Sequence, residues 1–306
     1  PGAQAAGSDT AIPSTLPPLA PNTKLTTAAR LHTEDMLNNE FQGHDSSSGA
    51  ISPNQSGDKV GDRISRQGYD YSTVAENVSS YSESIWDSHA AFIVDWGTSA
   101  STGLTYAGMQ DPSGHRTNVY RNNIREIGVG VVEGTNGSVG PLLVTHALAT
   151  ESNYDQPFIT GVAYYDTDGN GFYDEGEGIG GITINVDDSP YHAVTPDSGG
   201  YAIPVTNDGA YSLSYTMPDG STGSQSANVS NQENIKTDIS PDWSATEVIG
   251  LQTYQTNVEV SYSVAPVPAA TAYRLWLWEI VSWPGDLGAE DSRNIKTTTT
   301  GSYSSI

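Results

Sequence analysis

The chain of 306 residues contains no cysteine, which excludes disulfide bonds and thiolate metal ligands. Basic residues are also scarce: 12 Lys and Arg stand against 36 Asp and Glu, for a formal net charge of −24 at pH 7. Such a surface repels nucleic-acid phosphates and anionic lipid, so we expect neither as a partner. No apolar run reaches the roughly 20 residues that a membrane span needs. The sequence therefore predicts no membrane span.

Residues 1–24 are rich in Pro and Ala and lack the basic and apolar regions of a signal peptide. We interpret them as a flexible leader that follows a signal peptide already removed. Frequent Ser, Thr, Asn, Gly and Tyr with little Lys are typical of exported bacterial or archaeal surface proteins. We therefore expect an extracellular or cell-surface location.

Helical periodicity marks three segments near the start of the chain. Apolar positions at helical spacing predict a helix within 25–41, and a shorter one fits GDKVGDRISRQG at 57–68. Ser80 and Glu83 have the spacing of a capping box, which predicts a third helix running to Trp96.

A hairpin is predicted after these helices. Apolar residues alternate along 127–131, Asn136–Gly137 has turn composition, and PLLVTHALAT at 141–150 fits the returning strand. Helices followed by a terminal hairpin make 25–155 an α+β domain packed in layers. The fold class we expect is multidomain, with this domain followed by all-β sandwich modules.

Three stretches in this region occur in a recognisable order: EFQGHD, GDRISRQGYDYSTVAENVSS and DPSGHRTNVYRNNIREIGVGVV. Together they resemble the bacterial branch of the CAP superfamily (cysteine-rich secretory protein, antigen 5 and pathogenesis-related proteins). The usual bacterial pattern has F-x-S-H, D-R-I-x-x-x-G-Y, G-E-N-I, a tryptophan, G-H-R-x-N-I and E-I-G-V-G. The resemblance implies an α-β-α sandwich with an open groove.

The resemblance also implies groove residues, which are His44, Glu76 and His115 in this chain. Two neutral imidazoles and one carboxylate suit zinc, with positions left for water. Many eukaryotic members carry a second glutamate three residues after the helix tryptophan, but counting from Trp96 gives Ser99 here. The pattern has no dedicated Ser or Cys nucleophile, so it favours binding over catalysis. A secreted hydrolase or a lipid-binding protein that uses the groove is the alternative.

The other histidines of this region have simpler interpretations. His32 and His89 lie on apolar helical faces, so we expect both to be core residues with satisfied hydrogen bonds. His146 lies in a predicted strand, where we expect a local hydrogen bond.

The stretch YYDTDGNGFYDEGEGIGG has the spacing of a twelve-residue calcium loop, with glycine at position 6 for the sharp turn. Its flanks are strand-like, so the loop is not part of an EF-hand. It resembles the calcium-binding B-type repeats of bacterial surface adhesins, and 156–238 is predicted to be a β-sandwich. The predicted calcium ligands, with Phe172 offering its backbone carbonyl, are Asp166, Asp168, Asn170, Phe172, Asp174 and Glu177.

Residues 239–306 form a third β-rich piece with a weak likeness to immunoglobulin and fibronectin modules through VPAATAYRLWLWE. The piece is short for a closed sandwich, and its uncharged end TTTTGSYSSI predicts a poorly protected sheet edge. We expect this edge to pair with another chain, by self-association, or with residues beyond Ile306. The function we expect is an exported modular surface or matrix protein acting in binding, adhesion or assembly. Its expected partners are other surface or matrix proteins, or glycans.

Overall fold

The computed structural model describes residues 16–97, 108–109, 114–154, 156–241, 279–280 and 292–293. The chain divides into two compact units, Pro1–Trp243 and Ser244–Ile306. In the second unit, the antiparallel pair of β14 (Glu279–Ile280) and β15 (Ser292–Arg293) is described. The predicted edge TTTTGSYSSI and the rest of the predicted C-terminal module lie outside the described residues. No described helix has the length and apolar content needed to cross a membrane.

The first part of unit 1 mixes helices and strands. In chain order its elements are β1 (Ala20–Pro21), α1 (Thr23–Asn38), α2 (Val60–Arg66), β2 (Tyr71–Ser82), α3 (Ile85–Val94), β3 (Trp96–Gly97), β4 (Gly108–Met109), α4 (Gly114–Val119), β5 (Glu126–Glu133) and β6 (Leu142–Glu151). One sheet has the order β1-β5-β6-β2, in which β1 runs parallel to β5 and the other pairs are antiparallel. The predicted hairpin is confirmed as β5 and β6.

Helix α1 lies directly on this sheet because two glycines of β5 have no side chain to separate them. A Cβ atom on Gly128 would come within 2.0 Å of the carbonyl carbon of Leu25, and one on Gly130 within 2.5 Å of that of Ala29. The helix begins after Asn22, whose side-chain oxygen accepts from the backbone N–H of Lys24 at 2.9 Å. The helix predicted within 25–41 is therefore confirmed, with a start two residues earlier.

The predicted capping box at Ser80 and Glu83 is wrong. Ser80 lies inside β2, because that strand continues to Ser82. The N-cap of α3 is Ser84, whose hydroxyl accepts from the backbone N–H of Asp87 at 3.0 Å. The third helix is therefore shorter than predicted, and Trp96 lies beyond its end.

Residues 156–241 contain two sheets around one hydrophobic core. The elements are β7 (Phe158–Val162), β8 (Thr183–Val186), β9 (His192–Val194), β10 (Gly200–Pro204), β11 (Gly209–Thr216), β12 (Thr222–Val229) and β13 (Ile235–Lys236). One sheet has the order β10-β7-β13 and the other β12-β11-β8-β9. Buried side chains from both sheets share the core, among them Ile159, Ile184, Ile203 and Leu213. We call residues 156–241 the β unit.

One buried amide joins the β unit to the first sheet. Nδ2 of Asn234 donates to the carbonyls of Pro18 at 2.9 Å and Arg125 at 2.8 Å. Its Oδ1 accepts from the Tyr154 hydroxyl at 2.6 Å and from the backbone N–H of Phe158 at 3.0 Å. All four hydrogen-bonding positions of the amide are thus used. Asn234 therefore fixes the β unit against the strand region near β1 and β5.

Candidate functional site

The first pair of predicted groove residues is in direct contact. Nδ1 of His44 lies 2.9 Å from Oε2 of Glu76, and because a carboxylate accepts, this nitrogen carries the proton. The His44 side chain is 58% exposed, whereas that of Glu76 is 3% exposed. The hydrogen bond to Glu76 raises the pKa of His44 above its usual value. A buried carboxylate on β2 thus orients an accessible imidazole, with Nε2 directed away from the bond.

The fully buried Arg63 of α2 holds this carboxylate from the other side. Its Nη2 pairs with Oε1 of Glu76, while Nη1 donates to the carbonyls of His44 at 2.8 Å and Asp58 at 2.7 Å. One guanidinium therefore fixes both members of the imidazole–carboxylate pair. Removing Arg63 would leave Glu76 as a buried charge without its cation, which is costly. From the sequence, Arg63 was predicted only to lie in a helix. Its position in the D-R-I motif was the one indication that it belongs to the site.

The third predicted residue, His115, has a different partner. Its Nδ1 lies 2.7 Å from Oδ1 of Asp95, which is fully buried and ends α3 with φ +58°. Backbone N–H of Arg116 also reaches Asp95, at 3.4 Å. The left-handed conformation of Asp95 turns its carboxylate towards the start of α4, a conformation that Asp adopts more readily than most residues. Asp95 was not predicted, because the family pattern places the second acid three residues after the tryptophan, whereas Asp95 lies directly before Trp96.

Two asparagines tie the imidazole pairs together. Nδ2 of Asn77 donates to the carbonyl of His115 at 3.1 Å. Nδ2 of Asn118 donates to the carbonyl of Glu76 and to Oδ1 of Asn77, both at 3.0 Å. These bonds attach α4 to β2, the strand that carries Glu76. The two pairs are therefore parts of one hydrogen-bonded framework.

The three predicted groove residues do not form one group of metal ligands. Among the described residues, three ligand atoms lie within 4.8 Å of one another at Asp166, Asp168 and Glu177, and not at His44, Glu76 and His115. The structure brings His44 to Glu76 and places His115 on Asp95. Each carboxylate holds its imidazole in the manner of the outer partner of a zinc-ligating histidine. The donor types therefore suit zinc, although the predicted convergence on one ion is not formed.

A second imidazole cluster adjoins His115. The Phe92 ring lies 5.3 Å from the His115 ring and 4.8 Å from that of His146, whose other ring neighbour is His89 at 6.2 Å. Nδ1 of His146 is buried and has no hydrogen-bond partner among the described residues, so the predicted local bond is not formed by this atom. Burial, together with the charges of His89 and His115, lowers the pKa of His146 to about 4.

The core interpretation holds for one of the two helix histidines. His32 is fully buried and its Nε2 lies 2.8 Å from the carbonyl of Gly43, although no residue that the structure describes bonds to its Nδ1. Burial lowers the pKa of His32. His89 is exposed, and the core prediction for it is wrong. Its apolar helical neighbours Ile85 and Trp86 are themselves 60% and 78% exposed, so the apolar stripe does not face a core there.

Three acidic residues of the predicted calcium loop lie close together. Carboxylate oxygens of Asp166, Asp168 and Glu177 lie within 4.8 Å of one another. Glu177 accepts from the hydroxyl and backbone N–H of Thr167, both at 2.7 Å, and these bonds lower its pKa. Gly171 has φ +79°, which fits the glycine that the sharp turn requires.

The two other predicted side-chain ligands lie beside this group. Nδ2 of Asn170 donates to Asp168 at 2.9 Å and to Asp174 at 2.6 Å. The Phe172 side chain is exposed, and its predicted contribution is a backbone carbonyl. The five predicted side-chain ligands thus belong to one turn, with three of them already close enough to share an ion.

Comparison with known proteins identifies the first part of the chain. The profile of the Cysteine-rich secretory protein family, CAP, matches residues 14–148. No curated protein matches the sequence. A solved structure described as an extracellular protein containing an SCP domain, from Bacillus anthracis str. Ames, shares 20% identity over 44% of this chain and 35% of that chain, with a TM-score of 0.31. The present chain thus spans about a third of the length of that protein. The family match alone places a CAP domain at residues 14–148.

Proposed function

We propose that this chain is an exported modular protein that acts by binding, with the CAP domain contributing the binding site and the β unit supporting it. One observation carries the proposal. Two accessible imidazoles, those of His44 and His115, are each anchored through Nδ1 to a buried carboxylate. Among the described residues neither Nε2 atom has a hydrogen-bond partner, so both can meet a ligand, and the surrounding hydrogen bonds hold the rings in place before it arrives. Preorganised polar groups of this kind reduce the cost of binding.

The binding role is tested by attachment to surface polymers. Purified chain is added to immobilised cell-wall polysaccharide and to extracellular-matrix protein, and retention is compared with that of the double variant His44→Ala/His115→Ala. His192→Ala is the matched control, because His192 is an exposed histidine of β9, outside the CAP domain. We expect the double variant to lose retention and the control to keep it. Equal retention of all three proteins would contradict a role for the groove.

A hydrolase is the second candidate, and the His115–Asp95 pair favours it. A buried carboxylate that holds an imidazole in one tautomer is the arrangement of a general base. Catalysis would also need a nucleophile or an activated water. Turnover of ester and peptide substrates that falls by a factor of about 100 or more in His115→Ala would support this candidate. Turnover that is unchanged by His115→Ala and by Glu76→Gln would exclude it.

The β unit is proposed to bind calcium in the loop from Asp166 to Glu177. Carboxylates crowded into one turn repel each other when no ion is present, and a bound ion removes that penalty. Extracellular calcium modules bind with Kd of about 10⁻⁴–10⁻³ M. Calcium at roughly a hundredfold excess over Kd would stabilise the folded state by about 2.7 kcal/mol.

Thermal melting in calcium and in chelator tests this site. A stabilisation of that size raises Tm by roughly 11–22 °C in a unit as short as the β unit. We expect Asp168→Ala and Glu177→Ala to abolish the difference between the two buffers. Asp187→Ala, which removes an exposed acidic residue elsewhere in the β unit, should keep it. Identical melts of the unsubstituted protein in both buffers would rule out a stabilising calcium site.

A further inference from the structure

Strand β12 is an unusually open edge of the four-stranded sheet. Its eight residues pair with β11 in one uninterrupted register, from Gly209 opposite Val229 to Thr216 opposite Thr222. No described strand pairs with its other side. The opposite edge of the same sheet, β9, has three residues. Natural proteins shorten, bend or charge such edges because unpaired backbone groups attract another strand, and β12 is neither short nor bulged.

The backbone groups on the open side can be assigned from the register. The N–H of Met217 donates to the carbonyl of Ser221 at 2.8 Å, and hydrogen-bonded pairs then alternate along the antiparallel ladder. The N–H of Asp187 donates to the carbonyl of Ser212 at 3.0 Å, so the backbone N–H and C=O of Ser212 point towards β8. The backbone groups of its odd-numbered neighbours on β11 point towards β12. The residues of β12 that direct N–H and C=O away from β11 are therefore Thr222, Ser224, Ser226 and Asn228.

Charge distinguishes this edge from the rest of the molecule. The chain carries a formal net charge of −24, so two copies repel each other over most of their surface. Strand β12 reads TGSQSANV and contains no charged residue and no proline. Its solvent-facing side chains are the small polar residues at even positions, and Ala227 and Val229 are buried in the core. A second copy can therefore approach here without placing like charges opposite each other along the strand.

We propose that β12 pairs antiparallel with β12 of a second copy of this chain, so that the two four-stranded sheets join into one sheet of eight strands. A two-fold axis across the strand makes the edge its own complement, because each outward N–H meets an outward C=O of the same strand in the partner. Acidic residues flank the strand at Asp219 and Asp208, and like charges meet only at the two ends of the pair. Higher salt therefore strengthens the dimer by screening that repulsion. No groove or calcium-loop residue takes part, so the proposal stands apart from the proposed function.

Sedimentation velocity over a wide protein concentration range tests the pairing. We expect a concentration-dependent dimer whose Kd falls when NaCl is raised from about 0.1 M to 1 M. Ser226→Pro removes an outward N–H and leaves the ladder to β11 intact, since proline is tolerated where the N–H faces solvent. It should raise the dimer Kd by roughly tenfold or more, because the symmetric pair loses the bond twice. Ser224→Lys should weaken the dimer by placing a cation near its symmetry mate.

Ser212→Lys is the matched control. Ser212 lies on the same sheet face but on the inner strand β11, opposite Ser226, so this variant should dimerise as the unsubstituted chain does. Thermal melting shows whether each variant is folded. A chain that stays monomeric at all concentrations overturns the proposal. It is also overturned if Ser226→Pro and Ser224→Lys dimerise with the same Kd as the unsubstituted chain. Amide hydrogen exchange gives a second measurement. If the N–H groups of Ser224 and Ser226 are protected to the same extent at all protein concentrations, residues of the same chain pair with this edge, and the proposal is overturned.

Discussion

Replacing Asn234 with alanine should destabilise the protein more than most single substitutions, because this one side chain makes four hydrogen bonds, three of them to residues outside the β unit. The alanine variant loses two donated and two accepted hydrogen bonds around a residue that is 3% exposed. The carbonyl of Arg125 keeps a second donor, the N–H of Ala20 at 3.0 Å. The Tyr154 hydroxyl and the Phe158 N–H lose their acceptor.

The magnitude follows from these partners. A buried polar group left without a partner costs about 1–3 kcal/mol. The Tyr154 hydroxyl and the Phe158 N–H are two such groups, while water partly replaces the amide at the Pro18 carbonyl and the Arg125 carbonyl keeps its other donor. Together these changes give a loss of roughly 2–5 kcal/mol in the free energy of unfolding. The aromatic ring of Tyr154 also lies under the guanidinium of Arg125, 5.9 Å from its centre, so disturbance of that hydroxyl spreads to a second contact.

Equilibrium unfolding in urea, followed by circular dichroism and tryptophan fluorescence, measures this loss. Asn207→Ala is the control, because Asn207 is exposed and its side chain bonds only to the neighbouring Thr206 among the described residues. We expect the control to change stability by less than about 0.5 kcal/mol. A loss below the same limit in Asn234→Ala would refute the view that this amide holds the β unit against the CAP domain.

Three further outcomes are expected. Glu76→Gln should lower the pKa of His44 towards its usual value, which an NMR titration of the imidazole measures. An unchanged pKa would show that the Glu76 carboxylate does not raise it. Ser84→Ala should cost about 1 kcal/mol of unfolding free energy through loss of the α3 cap, measured in urea against the unsubstituted chain. Burial lowers the pKa of His146 from 6.5 to about 4 in the folded chain, so between these two pH values only the unfolded chain binds the proton. The free energy of unfolding therefore decreases as pH falls through this window, by up to about 1.4 kcal/mol per pH unit. His146→Gln should flatten this acid limb in melts at stepped pH, and an equally steep limb would contradict the assignment.

The elements that sequence predicted well are those whose side chains follow one period. Helix α1 and strand β5 have regular apolar spacing because each buries mainly one face, whereas β6, which is buried on both faces, is marked by its apolar run and the turn before it. Strand β2, from Tyr71 to Ser82, was not predicted as a strand. Its sequence YSTVAENVSSYS places Glu76 and Asn77, which bond to His44 and to the carbonyl of His115, at buried positions where a strand normally carries apolar residues. Polar residues that hold other parts of the domain in place thus hide the period of this strand.

The candidate site was predictable in part for a related reason. The contact of His44 with Glu76 follows from matched motifs, but its support by Arg63 depends on how α2 packs beneath β2. The pairing of His115 with Asp95 depends on a single left-handed residue at the end of α3. Local spacing does not encode such a turn for an aspartate as it does for a glycine. Side-chain partners made by tertiary packing therefore had to come from the structure.

The junction at Asn234 also orders events during synthesis. Its four partners belong to Pro18, Arg125, Tyr154 and Phe158, all of which leave the ribosome before the asparagine does. Domains generally fold as units, the N-terminal one first. The CAP domain, whose sheet is complete once Glu151 is made, must therefore wait for almost the whole β unit before the Pro18 carbonyl and the Tyr154 hydroxyl meet this amide. During that interval water serves as their partner, and the nascent CAP domain is a less stable species than the same residues in the finished chain.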